Sequence, residues 1–393
     1  MHSKIYILFL LLFSSLHSFT QFTFRIEITA TPASHEGDTI FVAGSFNNWN
    51  PGDTNYFFRK ENDKLVITIK DLPLNTYQFK FTRGNWQKTE STDKGRVTEN
   101  KVVRLFSDAT IKYSIDGWLD DYPKKHTATQ NVHVLDTAFF IPQLNTKRRI
   151  WIYFPRGYTS TKKHYPVMYL QDGQNLFDEM TSAYGEEWGV DECLDSLIEK
   201  GKPACIIVGI DNGAATRMNE YNPYEFTLKD STISKTFLPQ GNEYLNFLTK
   251  TLKPFIDKKY RTLSSKENTI IAGSSMGAVI SYYAAIKYPE VFGKAGFFSP
   301  AFHTAPQIKQ LTDSISNKVN SKFFFYIGEK EGAAYVTDMK EIAEKLGGHS
   351  NAMIYSVIDT EGEHNEKAWR KWFAEFYNWM MADGYNNVIK IEE

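Results

Sequence analysis

The chain has 393 residues, 42% hydrophobic and 23% charged, with a formal net charge of −1 at pH 7. That length suits two domains better than one, and the composition is that of a folded globular protein, not a disordered one. A charge so near zero gives no footing for nucleic acid or an anionic membrane as a partner.

Residues 1–20 read as an export signal: Lys4 supplies a positive start, residues 5–13 are an unbroken apolar run, and residues 14–20 turn polar, with cleavage expected near Ser18 or Thr20. The run is shorter than the roughly 20 apolar residues of a spanning helix, so no stable membrane insertion is expected. No cysteine follows to carry a lipid anchor. The expected location is periplasmic or extracellular.

Residues 21–115 carry a β pattern throughout. The runs at 22–28, 39–43, 65–69 and 77–81 alternate or are rich in β-branched and aromatic residues. Turn chemistry separates them at Glu36-Gly37-Asp38, at Asn48-Trp49-Asn50-Pro51-Gly52 and at Asn62-Asp63. Short strands at such regular spacing predict a small immunoglobulin-like β-sandwich. Residues 116–130, with three Asp, a Pro, two Lys and two Thr, read as a linker.

From residue 131 the rhythm changes. Residues 132–141 and 148–154 predict an antiparallel strand pair. Strands at 166–170, 205–210, 269–273, 294–298, 322–327 and 352–357 then interleave with helices at 188–200, 243–258, 278–287, 336–346 and 367–381. Such alternation builds an α/β domain, a mostly parallel sheet with helices on both faces. The helix at 188–200 stacks Cys193, Leu194, Leu197 and Ile198 on one stripe and stops at Gly201 with Pro203 beyond. Cys193 and Cys205 are the sole cysteines; they could pair in an oxidising compartment or pack as two small apolar thiols. Two cysteines without histidine spacing make no zinc site, and no metal or cofactor is expected.

The strongest local signal is Gly273-Ser274-Ser275-Met276-Gly277. It follows the apolar strand and opens a helix, the setting in which a strained turn lifts a serine hydroxyl off the edge of the sheet. A serine hydroxyl needs a base to take its proton. Of nine histidines, His303, His349 and His364 follow Ser275. His364 lies between the last strand and the last helix, on the sheet edge where Ser275 also lies, and is the expected base. His349 falls on the opposite edge; His303 could face the substrate, but reads first as a packed or exposed loop residue. The acid that orients the imidazole should come from Gly328-Glu329-Lys330-Glu331-Gly332; Glu331 is the choice and Glu329 the alternative. Two N–H donors are needed for the developing oxyanion. One is expected from Met276, and the other from the loop Gln171-Asp172-Gly173-Gln174-Asn175-Leu176-Phe177, with Gln174 as donor.

Four segments carry a resemblance: Tyr169-Leu-Gln-Asp-Gly-Gln-Asn-Leu-Phe-Asp178, Glu187-Trp-Gly-Val-Asp191, Gly273-Ser-Ser-Met-Gly-Ala278 and Gly362-Glu-His364. Together they resemble the putative esterase family, which includes esterase D, feruloyl and acetyl xylan esterases, siderophore esterases and mycolyltransferases. The resemblance spans about residues 132–381. It implies the α/β-hydrolase fold, a serine–acid–histidine mechanism without cofactor, and oxyanion donation near Gln174. Many members use Asp where this chain has Glu331.

In the front segment, Val42-Ala-Gly-Ser-Phe-Asn-Asn-Trp-Asn-Pro51, Tyr77-Gln-Phe-Lys-Phe81, Gly84-Asn-Trp86 and Glu99-Asn100 are similar to the glycogen-binding carbohydrate module of branching enzymes and of the β subunit of AMP-activated kinase. The match implies that Trp49 and Trp86 stack on sugar rings while Lys80 and Asn100 bond hydroxyls. The expectation is an exported serine carboxylic-ester hydrolase acting on a feruloyl- or acetyl-bearing polysaccharide or oligosaccharide. A siderophore or other small-ester hydrolase and a catalytically silent glycan-binding protein are the alternatives.

Overall fold

The computed structural model describes residues 21–123, 125–183, 185–229, 234–315, 319–382 and 388–392. The expected export segment, residues 1–20, lies outside them. The chain divides after Pro123 into two compact units.

In the first unit the alternating residues pair as they should. Gln21–Ala30 runs antiparallel to Lys64–Pro73 and parallel to Ala109–Ser114, with Arg59–Glu61 on the outer edge. A second sheet orders Phe41–Gly44, Asn75–Thr82 and Lys101–Leu105. Every second residue points inward, so Phe24, Ile26 and Ile67 of the first sheet share one core with Val42, Phe79, Phe81 and Leu105 of the second.

The boundary between the units falls within the segment read as a linker, residues 116–130, but both of its ends are tied down. Gly117–Trp118 pairs with Glu90–Ser91 inside the first unit, with Trp118 buried. Further on, buried acids hold residues of the second unit: Thr127 N–H donates to Asp178 at 3.2 Å and Thr129 N–H to Asp191 at 2.6 Å. Polar, turn-rich composition here marks backbone tied down by side chains rather than free chain.

The second unit has an α/β-hydrolase-type fold. Its nine-stranded sheet runs Val132–Ile141, Thr146–Tyr153, Ile206–Ile210, Val167–Gln171, Thr269–Ser274, Lys294–Phe298, Lys322–Gly328, Met353–Asp359 and Val388–Glu392. The first three are joined antiparallel, and every later pairing is parallel. Strands buried on both faces read as continuous apolar runs, and Lys322–Gly328 shows why. Phe323 and Phe325 pack into one core with the helices Met276–Lys287 and Ala333–His349, while Phe324 and Tyr326 pack into the other with Val190–Glu199 and Glu366–Met381.

The helix expected at 243–258 is three pieces, Gly241–Phe247, a π turn at Leu248–Leu252, and Lys253–Lys259. Pro254 has no N–H to give to the turn before it, so the ladder widens there. A hairpin, Phe226–Lys229 with Ser234–Phe237, and the helix Gln307–Ile315 were not expected from the sequence. Cys193 and Cys205 are free thiols.

Candidate active site

The strand Thr269–Ser274 is buried along its length and ends at Ser275, whose φ of 56° and ψ of −122° a residue with a side chain adopts only under strain. Neighbouring backbone holds it there: Ser275 N–H donates to Phe298 O at 2.9 Å, and Ala301 N–H donates to Ser275 O at 3.3 Å. The flanking glycines are there for space. A Cβ on Gly273 would stand 2.8 Å from the backbone of Gly277, and one on Gly277 would stand 3.0 Å from Asp172 Oδ2. Met276 is the first residue of the helix that follows, so its N–H has no acceptor within the helix and stays available for a ligand.

His364 sits in the turn between Met353–Asp359 and Glu366–Met381, its ring edge-on to Trp369 at 5.3 Å. Its Nδ1 lies 2.7 Å from Glu331 Oε2. The other oxygen of that carboxylate accepts from Ser299 Oγ at 2.6 Å and from Gly328 N–H at 2.9 Å. Ser299 in turn accepts from the Trp369 indole at 2.9 Å. Glu331's side chain is 3% exposed; Glu329, the alternative acid, is exposed. The strand end and the histidine turn are pressed together, since a Cβ on Gly328 would lie 2.3 Å from the backbone of Gly362.

Ser275, Met276, Glu331 and His364 line one pocket of about 380 Å³, with Arg217, Met218 and Leu228 on its wall. Among the described residues no hydrogen bond joins the Ser275 hydroxyl to His364; the two share the pocket lining. His303 also lines the pocket, edge-on to Tyr335 at 4.9 Å. Burial lowers its pKa, against the pull of Asp338. The sequence left open that this loop histidine faces the substrate, and its place in the lining agrees with that alternative.

Gln174 is not part of that lining. Its side-chain oxygen accepts from Asn212 N–H at 3.1 Å, and its carbonyl accepts from Thr181 Oγ1 at 2.7 Å. The loop is fixed from beneath by Asp172, in the left-handed region at φ 55°. Its carboxylate takes two bonds from Arg217, at 2.7 and 2.8 Å, and one from Asn212 Nδ2 at 2.6 Å.

Sequence reading missed Ser299, Asp172 and Arg217 as parts of this site. Ser299 had one available signal: it is the polar residue directly after an apolar strand, on the sheet edge that carries Ser275.

In the first unit, Trp49 and Trp86 lie with ring centroids 6.3 Å apart at 38°, and Trp86 is 42% exposed. The Lys80 ammonium is bonded to Thr98 O, and burial lowers its pKa. Asn100 Nδ2 donates to Gln78 Oε1 at 3.1 Å. Among the described residues two groups could gather a cation: the exposed His35, Asp120 and Asp121, and Glu187, Asp191 and Glu192 in the second unit. Neither belongs to the pocket. Burial pushes Glu187 up to about 8 and Asp191 up to about 7.

A family model described as "Putative esterase" matches residues 141–380. The chain is 24% identical over 243 residues to the "Uncharacterized protein YbbA" of Bacillus subtilis, which covers 59% of this chain and 92% of that one. It is 27% identical over 225 residues to an "Endo-1,4-beta-xylanase/feruloyl esterase" of Xylanibacter ruminicola, covering 56% of this chain and 27% of that protein. The solved structure of an IroE-like serine hydrolase from Shewanella oneidensis aligns with a TM-score of 0.50 at 20% identity, covering 66% of this chain and 79% of that one. That is a likeness of fold.

Proposed function

The chain belongs to the putative esterase family and is a carboxylic-ester hydrolase; from that premise we propose that Ser275, His364 and Glu331 are its catalytic triad. The observation that carries this reading is the 2.7 Å contact between His364 and a buried, fully bonded carboxylate, on the wall of the pocket that Ser275 also lines. Glu331 holds Nδ1 protonated and leaves Nε2 as the base. Nε2 takes the hydroxyl proton as Ser275 Oγ attacks the ester carbon, and the carbonyl π pair moves onto oxygen. The Met276 N–H stabilises that oxyanion. Collapse expels the alcohol, which takes the proton from His364. Water, activated by the same imidazole, then releases the acid and restores Ser275. The steps need no metal or cofactor.

The substrate is a feruloyl or acetyl ester on a glycan. Support comes from the relative whose name joins a xylanase to a feruloyl esterase, and from the Trp49–Trp86 pair on the first unit. A tethered glycan raises the local concentration of ester at the pocket. The protein is exported by residues 1–20 and works outside the cytoplasm.

The test is a panel of feruloylated oligosaccharides, acetylated xylan, ferric triscatecholate esters and short nitrophenyl esters, run beside fluorophosphonate labelling. Wild type should label at Ser275 and cleave the glycan esters fastest, and Ser275→Ala should do neither. Preference for the triscatecholate would move the assignment to a siderophore esterase. Sugar binding without labelling would mean a silent glycan-binding protein. An undiminished rate in Ser275→Ala would overturn the mechanism.

A further inference from the structure

Glu366 is the first residue of the last helix, two residues beyond His364, yet it is 5% exposed. A carboxylate at a helix start gains from the helix dipole while still in water. Burying one is costly unless a partner compensates. Here the partner is Asn175, whose Nδ2 donates to Glu366 Oε1 at 3.1 Å across 191 residues of sequence.

Asn175 closes the short turn Gly173–Asn175, which carries Gln174. Each of its other polar groups is also engaged. Its N–H donates to Asp172 O at 2.9 Å, its carbonyl accepts from Trp188 N–H at 2.8 Å, and its Oδ1 accepts from Ala183 N–H at 2.9 Å. Asn175 is thus a fixed post for the loop, and Glu366 ties that post to the turn that presents His364.

We propose that Glu366 is a positioning residue for ester hydrolysis: through Asn175 it ties the turn that presents His364 to the fixed Gly173–Asn175 turn, and so holds the base in place at the pocket that Ser275 also lines. The inference rests on the triad assignment above. Its physical weight comes from how steeply the rate depends on where the base stands: a misplacement of about 1 Å costs on the order of 100-fold.

The experiment compares Glu366→Ala, Glu366→Gln, Asn175→Ala and the double alanine variant on a nitrophenyl ester, with thermal unfolding of each and Ser275→Ala alongside. Burial holds the Glu366 pKa up at about 7, so the neutral glutamine is a close mimic whose amide oxygen still accepts from Asn175. Glu366→Ala and Asn175→Ala should each lower kcat by roughly 10- to 100-fold with KM little changed. The double variant should be no worse than the poorer single one, because both cut the same link, and Glu366→Gln should keep most of the wild-type kcat. An unchanged kcat in folded Glu366→Ala, multiplicative losses in the double variant, or a glutamine variant as poor as the alanine would overturn the proposal. Should Glu366→Ala not fold, Asn175→Ala and Glu366→Gln decide by the same criteria. If Ser275→Ala keeps its rate, the triad assignment has failed; if it is inactive while Glu366→Ala is unimpaired, the positioning role alone has failed.

Discussion

His364 Nδ1 and Glu331 Oε2 lie 2.7 Å apart, and the rest of the Glu331 carboxylate is spoken for by Ser299 and Gly328. A carboxylate so held fixes the tautomer and direction of the imidazole and stabilises its charged form. Glu331→Gln should therefore fold normally and lower kcat by roughly 100- to 10,000-fold, the upper figure being that of an equivalent acid-to-amide change. Glu329→Gln, at an exposed position, should stay within about twofold, as surface changes do. Steady-state kinetics on a nitrophenyl ester distinguish the two. Equal losses would show that the loop as a whole, not the Glu331 carboxylate, supports the histidine.

Ser299 is the next link, since its hydroxyl gives its proton to Glu331 and takes one from the Trp369 indole. A hydrogen bond to a charged group contributes about 1.5–3 kcal/mol, and each 1.4 kcal/mol is about tenfold in rate. Ser299→Ala should lower kcat by at least roughly tenfold with KM nearly unchanged. If kcat holds while KM rises, Ser299 contacts substrate instead of orienting the acid.

The strained turn at Ser275 was legible because it is local. The apolar strand, the two glycines and the helix start sit within one short stretch, and each has its own physical reason. His364 and Glu331 were legible at one remove: strand–helix alternation says which loops share the sheet edge of Ser275. Ser299, the Asp172–Arg217 pair and the Asn175–Glu366 link were not, because each is a contact between side chains 32 to 191 residues apart, and nothing in either local pattern names the partner. The contacts that tie down the linker segment were hidden for the same reason. The residues around Thr127 and Thr129 look like free chain until Asp178 and Asp191, 51 and 62 residues away, accept their N–H groups. The long helix at 243–258 misled in the opposite sense, since apolar periodicity continues through a π turn that only the backbone geometry reveals.

Burial holds three acids of the second unit protonated at unusually high pH: Glu187 up to about 8, and Asp191 and Glu366 each up to about 7. Between the ordinary carboxyl range and those values the folded protein binds protons that the unfolded chain has released. Stability should therefore fall as pH rises from about 4.5 towards 8 and level off above that. His303, held low by burial, acts the other way below its ordinary value, so the comparison must be made within one background. Glu187→Gln should lose less melting temperature than wild type between pH 5 and pH 8.5, as read by thermal denaturation in matched buffers. Identical slopes for the two proteins would mean that Glu187 ionises normally in the fold.

The two tryptophans of the first unit make a prediction independent of the catalytic machinery. Trp86 presents much of its ring to solvent, and Trp49 stands beside it, half-buried and in the left-handed region at φ 56°. If the pair is a sugar platform, Trp86→Ala removes a flat apolar face without opening the core. Retention on an insoluble glycan should drop by roughly tenfold, the equivalent of about 1.4 kcal/mol, while the rate on a soluble nitrophenyl ester stays at the wild-type level. Lys80→Ala should matter less, because its ammonium is already bonded to Thr98 O. Affinity electrophoresis through glycogen, starch and xylan gels reads the first effect, and a nitrophenyl acetate assay reads the second. Unaltered migration of Trp86→Ala in every gel that retards the wild-type protein would remove the platform and leave the first unit as a docking fold without a sugar site.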